Sequence, residues 1–165
     1  MWCSPIEVGL ALLGWILDGV EGKRFELRSN AYSCDDRGIM ARDIIRTAKA
    51  PAPPPTYSQA VRAAGLVFVS GTGPQDPVTG KIVGETIQEQ TRQCLKNVSA
   101  ILEAAGSSLE RVVSATVIVL EETDFAGMNE EWIKWFPENP PARQGAKLPV
   151  RIPGLRVSIA VIAEA

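Results

Sequence analysis

The stretch PPARQGAKLP (residues 140–149) is followed by the apolar run LRVSIAVIA (residues 155–163), and together they decide how the end of the chain folds. The paired prolines at its start end any preceding helix, because proline fixes φ and donates no backbone hydrogen bond. Residues 143–148 and 155–163 then predict two strands, the second rich in β-branched side chains. Prolines and a glycine between them form the link.

One arginine in this stretch, Arg143, stands among the small residues Ala142 and Gly145. A guanidinium offers a rigid fork of donors that fits a carboxylate or a phosphate at two points. Small neighbours let a ligand approach the backbone closely. The alternative is a solvated surface charge, which is the usual place of an arginine. Arg143 is therefore the first candidate for binding an anion.

The remainder of the chain predicts four more strands and two helices. The central hairpin is the clearest, because β-branched and aromatic residues are bounded by glycines. The first helix begins with the capping box of Thr86 and Glu89 and stops at Gly106. In chain order the elements are strands 43–47, 57–62 and 66–71, a helix from 86 to 106, strand 111–120, helix 125–136, and strands 143–148 and 155–163.

The apolar positions of both helices predict which side faces a core. Cys94 falls on the apolar stripe of the first helix, which favours a buried thiol over a nucleophile. The second helix carries aromatic and apolar residues at helical spacing, and we interpret them as core. They are Phe125, Met128, Trp132, Trp135 and Phe136.

This order of elements predicts an α+β sandwich, in which two helices cover one face of a sheet. The other face of the sheet is also rich in apolar and small residues. Because an exposed apolar face is unfavourable for a soluble monomer, we expect it to be covered by further copies of the chain.

The composition of the chain excludes several classes of function. The 165 residues carry a net charge of −2 with 45% hydrophobic residues, as an ordinary globular domain does. A pI near 5.3 indicates no excess of basic residues of the kind that binds nucleic acid, so no nucleic-acid partner is expected. The chain has no histidine, which excludes Ser-His-Asp and Cys-His catalysis and any histidine-ligated metal within it. Three scattered cysteines form no CxxC pair and fit a reducing compartment.

Residues 1–39 differ from the rest and are predicted to be an extension of unknown role. Their apolar run is too short and too often interrupted by charge for a membrane span, and no basic segment precedes it as in a secretory signal. A surface helix, a disordered appendage or an extension upstream of a natural start at Met40 all remain open. The folded domain is then 40–165. We expect no membrane partner and a cytoplasmic location, with a mitochondrial one as the alternative.

Short motifs in order along residues 40–165 resemble the RidA/YjgF family, also called L-PSP or reactive intermediate deaminases. Residues 1–39 lie outside the resemblance. The matching pieces are Ala50-Pro51-Ala52, Tyr57-Ser58-Gln59-Ala60-Val61, Val67-Phe68-Val69-Ser70-Gly71, Asp76-Pro77 with Thr79-Gly80, Glu89-Gln90-Thr91 with Leu95 and Asn97, Phe125 with Asn129, and Pro141-Ala142-Arg143 with Leu148-Pro149.

The resemblance implies a chorismate-mutase-like α+β fold, with one mixed sheet covered by two helices and three copies forming a barrel. It implies a homotrimer with clefts between subunits. It also implies hydrolysis of enamine and imine intermediates, such as 2-aminoacrylate, to 2-keto acids and ammonia. No metal or organic cofactor is expected, and the partner is a small carboxylated substrate.

Carried over residue by residue, the resemblance makes Arg143 the group that binds the substrate carboxylate. Tyr57 and Asn129 are the other catalytic candidates, and backbone groups near Gly145 would orient the nitrogen or the attacking water. Part of the cleft would come from a neighbouring subunit. The residues expected to contact substrate are Arg143, Ser70, Gly71, Gly145, Phe125 and Ser158.

Two positions depart from the deaminase branch of the family. Gly145 stands where that branch carries a cysteine, and Ser158 stands where it carries a glutamate that assists water. Serine accepts a proton poorly without a base beside it. Glu121, Glu122 or Glu164 are possible substitutes. The run Pro53-Pro54-Pro55-Thr56 before Tyr57 also replaces the usual Gly-Pro, which predicts a reshaped cleft mouth.

Four candidate functions are consistent with these observations. The leading one is an imine or enamine deaminase. The second is a specialised pathway enzyme acting on another carbonyl or carboxylate intermediate, and the third is a non-catalytic metabolite-binding module. A ribonuclease or translation inhibitor, as attached to some family members, is disfavoured by the acidic pI and the missing histidine.

Overall fold

The computed structural model describes residues 42–147 and 152–165. The predicted extension 1–39 and its boundary at residue 40 lie outside this part of the chain, as does Leu148-Pro149. The predicted order of strands and helices is confirmed. The elements are β1 (Asp43–Ile45), β2 (Ala60–Ala63), β3 (Leu66–Thr72), α1 (Ile87–Ala104), a 3-10 turn (Leu109–Arg111), β4 (Val112–Val119), α2 (Asp124–Trp135), β5 (Ala142–Lys147) and β6 (Val157–Glu164).

The strands form one sheet in the order β1-β2-β3-β6-β4-β5, so the last strand of the chain lies at its centre. Strands β4 and β5 are parallel, while every other pair is antiparallel. Helix α2 is the crossover that a parallel pair requires. The sheet is therefore mixed, and the predicted α+β class holds.

Strand β2 begins later than predicted. The expected start at Tyr57 is wrong by three residues, and the strand starts at Ala60. The amide of Tyr57 donates to the carbonyl oxygen of Pro54 at 3.4 Å, so the proline run closes a turn before the chain extends. Tyr57 consequently lies on a loop, half exposed, beside the start of the strand.

Local signals set the ends of the hairpin and of α1. Ala64 and Gly65 have φ values of 52° and 74°, the conformation that a two-residue hairpin turn needs. At the start of α1, Thr86 Oγ1 accepts from the amide of Glu89 at 3.2 Å, and the Glu89 carboxylate accepts from the amide of Thr86 at 3.1 Å. The predicted capping box is confirmed.

Both helices lie on one face of the sheet and enclose the core. Cys94 is fully buried there, as predicted, and burial raises the pKa of its thiol. The prediction that the α2 aromatics are core is wrong for Phe125, which is 42% exposed. The buried members of the core include Val67, Val69, Leu95, Val98, Leu102, Ala115, Val117, Met128, Trp132, Val157, Ile159 and Val161.

One buried carboxylate joins the two helices. Glu131 of α2 is 2% exposed and accepts two hydrogen bonds, each 2.8 Å long, from the Arg92 guanidinium of α1. Lys134 and the Trp135 indole donate to the same carboxylate at 3.0 and 3.3 Å. These donors, Arg92 first, lower the pKa of Glu131 to about 2. The pair fixes α2 against α1.

The second face of the sheet carries no helix among the described residues. A row of apolar side chains crosses four strands on this open face, because Ile44 pairs with Val61, Val61 with Phe68, and Phe68 with Ile162. Ile44 and Phe68 are 44% and 41% exposed. The expected apolar open face is therefore present.

Candidate functional site

Strand β5 places Arg143 under helix α2. In the parallel register, Arg143 lies opposite Ala115 and Gly145 opposite Val117, and both of these β4 residues are buried beneath the helices. Residues in register on neighbouring strands point to the same face. Arg143 and Gly145 therefore face α2. Because β5 is an edge strand, Arg143 remains open to solvent on its outer side.

The Arg143 guanidinium is held by neutral groups of α2. Its Nη2 donates to Asn129 Oδ1 at 2.6 Å, and its Nη1 lies 3.7 Å from the sulfur of Met128. The guanidinium carbon is 5.0 Å from the ring centroid of Trp132 and 5.7 Å from that of Phe125, within cation–π range. Partial burial lowers the pKa of Arg143, which remains a permanent cation.

No carboxylate of the described residues pairs with Arg143. Three other arginines each contact a carboxylate within hydrogen-bond distance: Arg62 with Asp43, Arg92 with Glu131, and Arg156 with Asp124. The charge of Arg143 is positioned but not compensated. Such a group suits an anion that comes from outside the fold.

Phe125 stands over Gly145. A Cβ atom built on Gly145 would lie 3.3 Å from Phe125 Cε2, closer than side chains usually pack. Phe125, Asn129 and Trp132 occupy positions i, i+4 and i+7 of α2, which share one side of a helix. These α2 residues, with Arg143 and Gly145 of β5, form the arginine cluster.

A second group of predicted residues lies around β3. Tyr57, Ser70 and Gly71 line a cleft of about 460 Å³. Ser70 Oγ donates to the carbonyl oxygen of Ser58 at 2.7 Å, which ties the strand to the loop that carries Tyr57. The register between β3 and β6 shifts between Val69 and Thr72, so that Ser70 and Gly71 form a β-bulge opposite one residue of β6.

Ser158 belongs to this second group. A Cβ on Gly71 would lie 3.1 Å from Ser158 Oγ, so the two residues are in contact. Ser158 pairs with Ile118 on the central strands, and it is half-buried on the open face. No carboxylate of the described residues hydrogen-bonds to its hydroxyl. We name Tyr57, Ser70, Gly71 and Ser158 the serine cluster.

The structure therefore divides the eight predicted residues into two clusters of four. Arg143, Asn129, Phe125 and Gly145 meet at β5 and α2, while the serine cluster lies at β3 and β6. In steps of about 4.8 Å between neighbouring strands, Ser70 and Gly71 on β3 are three strands from β5, about 14 Å, and Ser158 on β6 is two strands from it, about 10 Å. One copy of the chain does not bring all eight to one ligand.

The residues that sequence reasoning missed are Trp132 and Met128. Both were interpreted only as core, and both are buried, yet they also form the floor under the Arg143 guanidinium. A signal was available, because Trp132 is seven residues after Phe125 and three after Asn129. That spacing indicates a shared helix side.

The three glutamates considered as substitutes for the missing acid lie in different parts of the fold. Glu122 pairs with Lys147 at 3.7 Å, and Lys147 is four residues along β5 from Arg143, about 13 Å at strand spacing. Glu164 is six residues along β6 from Ser158, about 20 Å. Glu121 lies in the connection between β4 and α2. Within one copy, Glu164 is therefore too far along its strand to act beside Ser158, and Glu122 is paired with Lys147.

Metal and membrane features are absent from the part of the chain that the structure describes. No group of three or more His, Cys, Asp or Glu side chains there is arranged to hold a metal ion. None of the helices in residues 42–147 and 152–165 is long and apolar enough to cross a bilayer.

Comparison with known proteins gives the family. A family model described as Endoribonuclease L-PSP matches residues 47–165. A RutC family protein of Pyrococcus abyssi is 48% identical over 104 residues, 63% of this chain and 82% of the relative. The 2-iminobutanoate/2-iminopropanoate deaminase of Capra hircus is 38% identical over 124 residues, 75% of this chain and 90% of the relative. The crystal structure of E. coli TdcF with bound serine matches with a TM-score of 0.69 at 33% identity, covering 74% of this chain and 98% of that one. The chain belongs to the RidA/YjgF family, also called L-PSP.

Proposed function

We propose that this protein hydrolyses enamine and imine intermediates of the 2-aminoacrylate type to 2-keto acids and ammonia, without a cofactor. The observation that carries the proposal is the uncompensated Arg143 guanidinium, held in place by the neutral amide of Asn129 at 2.6 Å. A relative named as a 2-iminobutanoate/2-iminopropanoate deaminase supports the reaction class. A family member with bound serine supports a small ligand that carries a carboxylate.

Arg143 binds the substrate carboxylate with two charged hydrogen bonds. Asn129 uses one donor of the guanidinium and leaves the others for the ligand. Trp132 and Phe125 exclude water from the inner side of the guanidinium, which strengthens its attraction for an anion. The carboxylate group then fixes the position of the neighbouring C=N bond.

The protein accelerates hydrolysis by positioning the bound substrate and a water molecule. An enamine first takes a proton at carbon and becomes an iminium, whose carbon is electrophilic. Water adds to that carbon and one of its protons moves to the nitrogen. The C–N bond then breaks as the C=O bond forms, and the departing ammonia takes the remaining hydroxyl proton and is released as ammonium. The nitrogen takes up both protons that water loses, so the atoms and charges balance without a protein carboxylate. Orientation of water beside a bound iminium supplies a large part of the rate gain.

The complete site requires two copies of the chain. Within one copy, the β5 strand of the arginine cluster is two strand spacings, about 10 Å, from Ser158 on β6 and three, about 14 Å, from Ser70 and Gly71 on β3. The apolar row of the open face, from Ile44 to Ile162, favours association through the sheet. We place the serine cluster of one subunit next to the arginine cluster of its neighbour, in a homotrimer with three equivalent sites. A hydroxyl of Tyr57, Ser70 or Ser158 orients the attacking water there.

The reaction is tested by mixing the protein with a serine or threonine dehydratase, which supplies 2-aminoacrylate or 2-aminocrotonate. The expected result is faster appearance of pyruvate or 2-oxobutanoate than in buffer. Arg143→Ala is expected to remove about a hundredfold or more of this gain while the melting temperature and the oligomer are retained. Equal rates with the wild type and with no protein would refute the reaction.

A second candidate is a metabolite-binding module, or an enzyme for another carbonyl intermediate. The Ser158 hydroxyl, which lacks a carboxylate partner among the described residues, favours it. The distinguishing result is tight, Arg143-dependent binding of a 2-oxo acid with no acceleration of imine hydrolysis. A ribonuclease remains disfavoured despite the name of the family model, because the chain is acidic and has no histidine.

A further inference from the structure

Helix α2 begins without the local signal that begins α1. Thr123 stands at its N-cap position with helical φ and ψ of −63° and −21°, and its side chain accepts no hydrogen bond from the amides of α2, all of which the structure describes. At α1, by contrast, Thr86 and Glu89 form a capping box. Because a cap fixes the residue at which a helix begins, the start of α2 is set by contacts from elsewhere in the fold.

Those contacts come from Arg156, the residue before β6. Asp124, the first residue of α2, is 3% exposed and accepts two hydrogen bonds from the Arg156 guanidinium, one from Nη2 and one from Nε at 3.1 Å. A two-point pair of arginine and carboxylate fixes the orientation of both groups as well as their separation. A carboxylate in the first turn also suits the positive end of the helix. The pair therefore sets the position of the first turn of α2.

Arg156 is itself held by three other elements of the described chain. Its amide donates to Gln90 Oε1 of α1 at 2.9 Å, and its carbonyl oxygen accepts from the amide of Leu120, next to the end of β4, at 2.8 Å. Its Nη1 donates to the carbonyl oxygen of Glu85, in the loop before α1, at 3.1 Å. Arg156 is thus a fixed point of the sheet, and Asp124 is located relative to it.

Phe125 follows Asp124 directly and contacts two residues of β5. Its ring centroid lies 5.7 Å from the guanidinium carbon of Arg143, and its Cε2 would lie 3.3 Å from a Cβ built on Gly145. We infer that the pair of Asp124 and Arg156 positions the Phe125 ring, which in turn orients the guanidinium that binds the substrate. This inference rests on the proposed function, which takes Arg143 as the group that binds the carboxylate. A displaced ring lets the guanidinium turn, and small errors of placement are costly to two-point binding.

Two measurements on the full chain test this role. Calorimetry gives the affinity for 2-oxobutanoate and requires no turnover. NMR follows the Arg143 side chain, assigned by its loss in Arg143→Ala, whose signals respond to the ring currents of Phe125 and Trp132. In Asp124→Asn we expect the affinity to fall about tenfold and the Arg143 signals to move. Leu102→Val removes one methylene from the buried core near the other end of α1 and is expected to change neither.

Arg156→Lys and Arg156→Met form a second pair of variants, at a side chain that is 39% exposed, and they keep the test available if Asp124→Asn does not fold. Lysine keeps a charged hydrogen bond to Asp124 and is expected to retain most of the affinity. Methionine keeps only the apolar stem and is expected to lose about as much as Asp124→Asn. Because the pair acts through the Phe125 ring, Asp124→Asn should add no further loss to Phe125→Leu.

The inference is supported if Asp124→Asn and Arg156→Met weaken binding and move the Arg143 signals, if Arg156→Lys restores both, and if Phe125→Leu hides the effect. A lower melting temperature with unchanged affinity and unchanged Arg143 signals makes the pair a purely structural contact and overturns the inference. Losses that add to that of Phe125→Leu also overturn it. If the wild type binds no 2-oxo acid and hydrolyses no imine, the proposed function fails, and the Arg143 signals alone decide whether the pair positions the guanidinium.

Discussion

Arg143 donates to the amide oxygen of Asn129 across 2.6 Å, so the shortest contact of this guanidinium is with a neutral group. An amide oxygen orients the cation without cancelling its charge. A carboxylate in the same place would satisfy the arginine and compete with any anionic ligand. Asn129 therefore keeps Arg143 both fixed and available.

Asn129→Asp tests this relationship, because it replaces the side-chain NH2 group by an oxygen and so adds a negative charge beside Arg143. We expect KM for an imine substrate to rise about tenfold to a hundredfold, because the new ion pair opposes carboxylate binding. The effect on kcat should be smaller. Asn139→Asp makes the same change on an exposed loop and should leave KM unaltered. An unchanged KM in Asn129→Asp would contradict the role given to the amide.

Mixed assemblies test whether two subunits share a site. Arg143→Ala and Tyr57→Ala chains are expected to be inactive alone, because each lacks one cluster. Co-expressed in equal amounts, they should regain about a quarter of wild-type activity, since one subunit pairing in four restores both clusters. Size measurement by light scattering checks the homotrimer. If a well-formed mixed oligomer recovers no activity, Arg143 and Tyr57 of one chain act in the same site and the shared-site model is wrong.

Ser158→Glu tests whether the lack of a carboxylate at this position limits the rate of hydrolysis. A carboxylate beside Gly71 supplies a proton acceptor for water, so we expect kcat for imine hydrolysis to rise about tenfold or more. Ser158→Ala should change kcat only a few-fold, because a hydroxyl without an adjacent base is a weak acceptor. A large loss in Ser158→Ala would show that the serine hydroxyl itself takes part in the reaction.

The Arg92–Glu131 pair makes stability depend on pH. The folded pKa of Glu131 is about 2, below its ordinary value of 4.5, so its contribution is present above pH 4.5 and is lost as pH falls toward 2. The shift corresponds to about 3 kcal/mol at neutral pH. Glu131→Gln should lower the free energy of unfolding by a similar amount at pH 7 and flatten its pH dependence between pH 4.5 and 2.

Glu130→Gln is the matched control for that measurement, one position along α2 and exposed. It is expected to alter the free energy of unfolding by less than about 0.5 kcal/mol. Chemical denaturation at several pH values measures both variants. Similar pH profiles for Glu131→Gln and the wild type would show that the buried carboxylate does not provide the acid-sensitive stability.

The open sheet face gives a separate prediction for assembly. Phe68→Asp places a charge in the apolar row between Val61 and Ile162, where the expected neighbour is another subunit. We expect the oligomer to dissociate and imine hydrolysis to fall, because an unpaired charge is costly to bury. Phe68→Leu keeps the apolar surface and should retain the assembly. A trimer that persists in Phe68→Asp would move the interface elsewhere.

Much of the fold was predictable because its signals are local. The capping box of Thr86 and Glu89 and the turn at Ala64 and Gly65 depend on residues a few positions apart. The apolar alternation of β4 and β6 likewise indicates strands without knowledge of their neighbours. Arg143 could be selected from its surroundings in the chain, and the motifs in order indicated the family. The start of β2 was missed because the proline run closes a turn that periodicity does not reveal.

The sequence by itself determined the order of elements, their class and the residue types available for chemistry. Only the tertiary structure decided that β6, last in the chain, lies between β3 and β4 and so separates Ser70 from Arg143. It also decided that Asn129 is the partner of Arg143 and that Phe125 stands over Gly145. The physical reason is that strand order and helix docking depend on pairing energies summed over distant residues, which no local pattern contains.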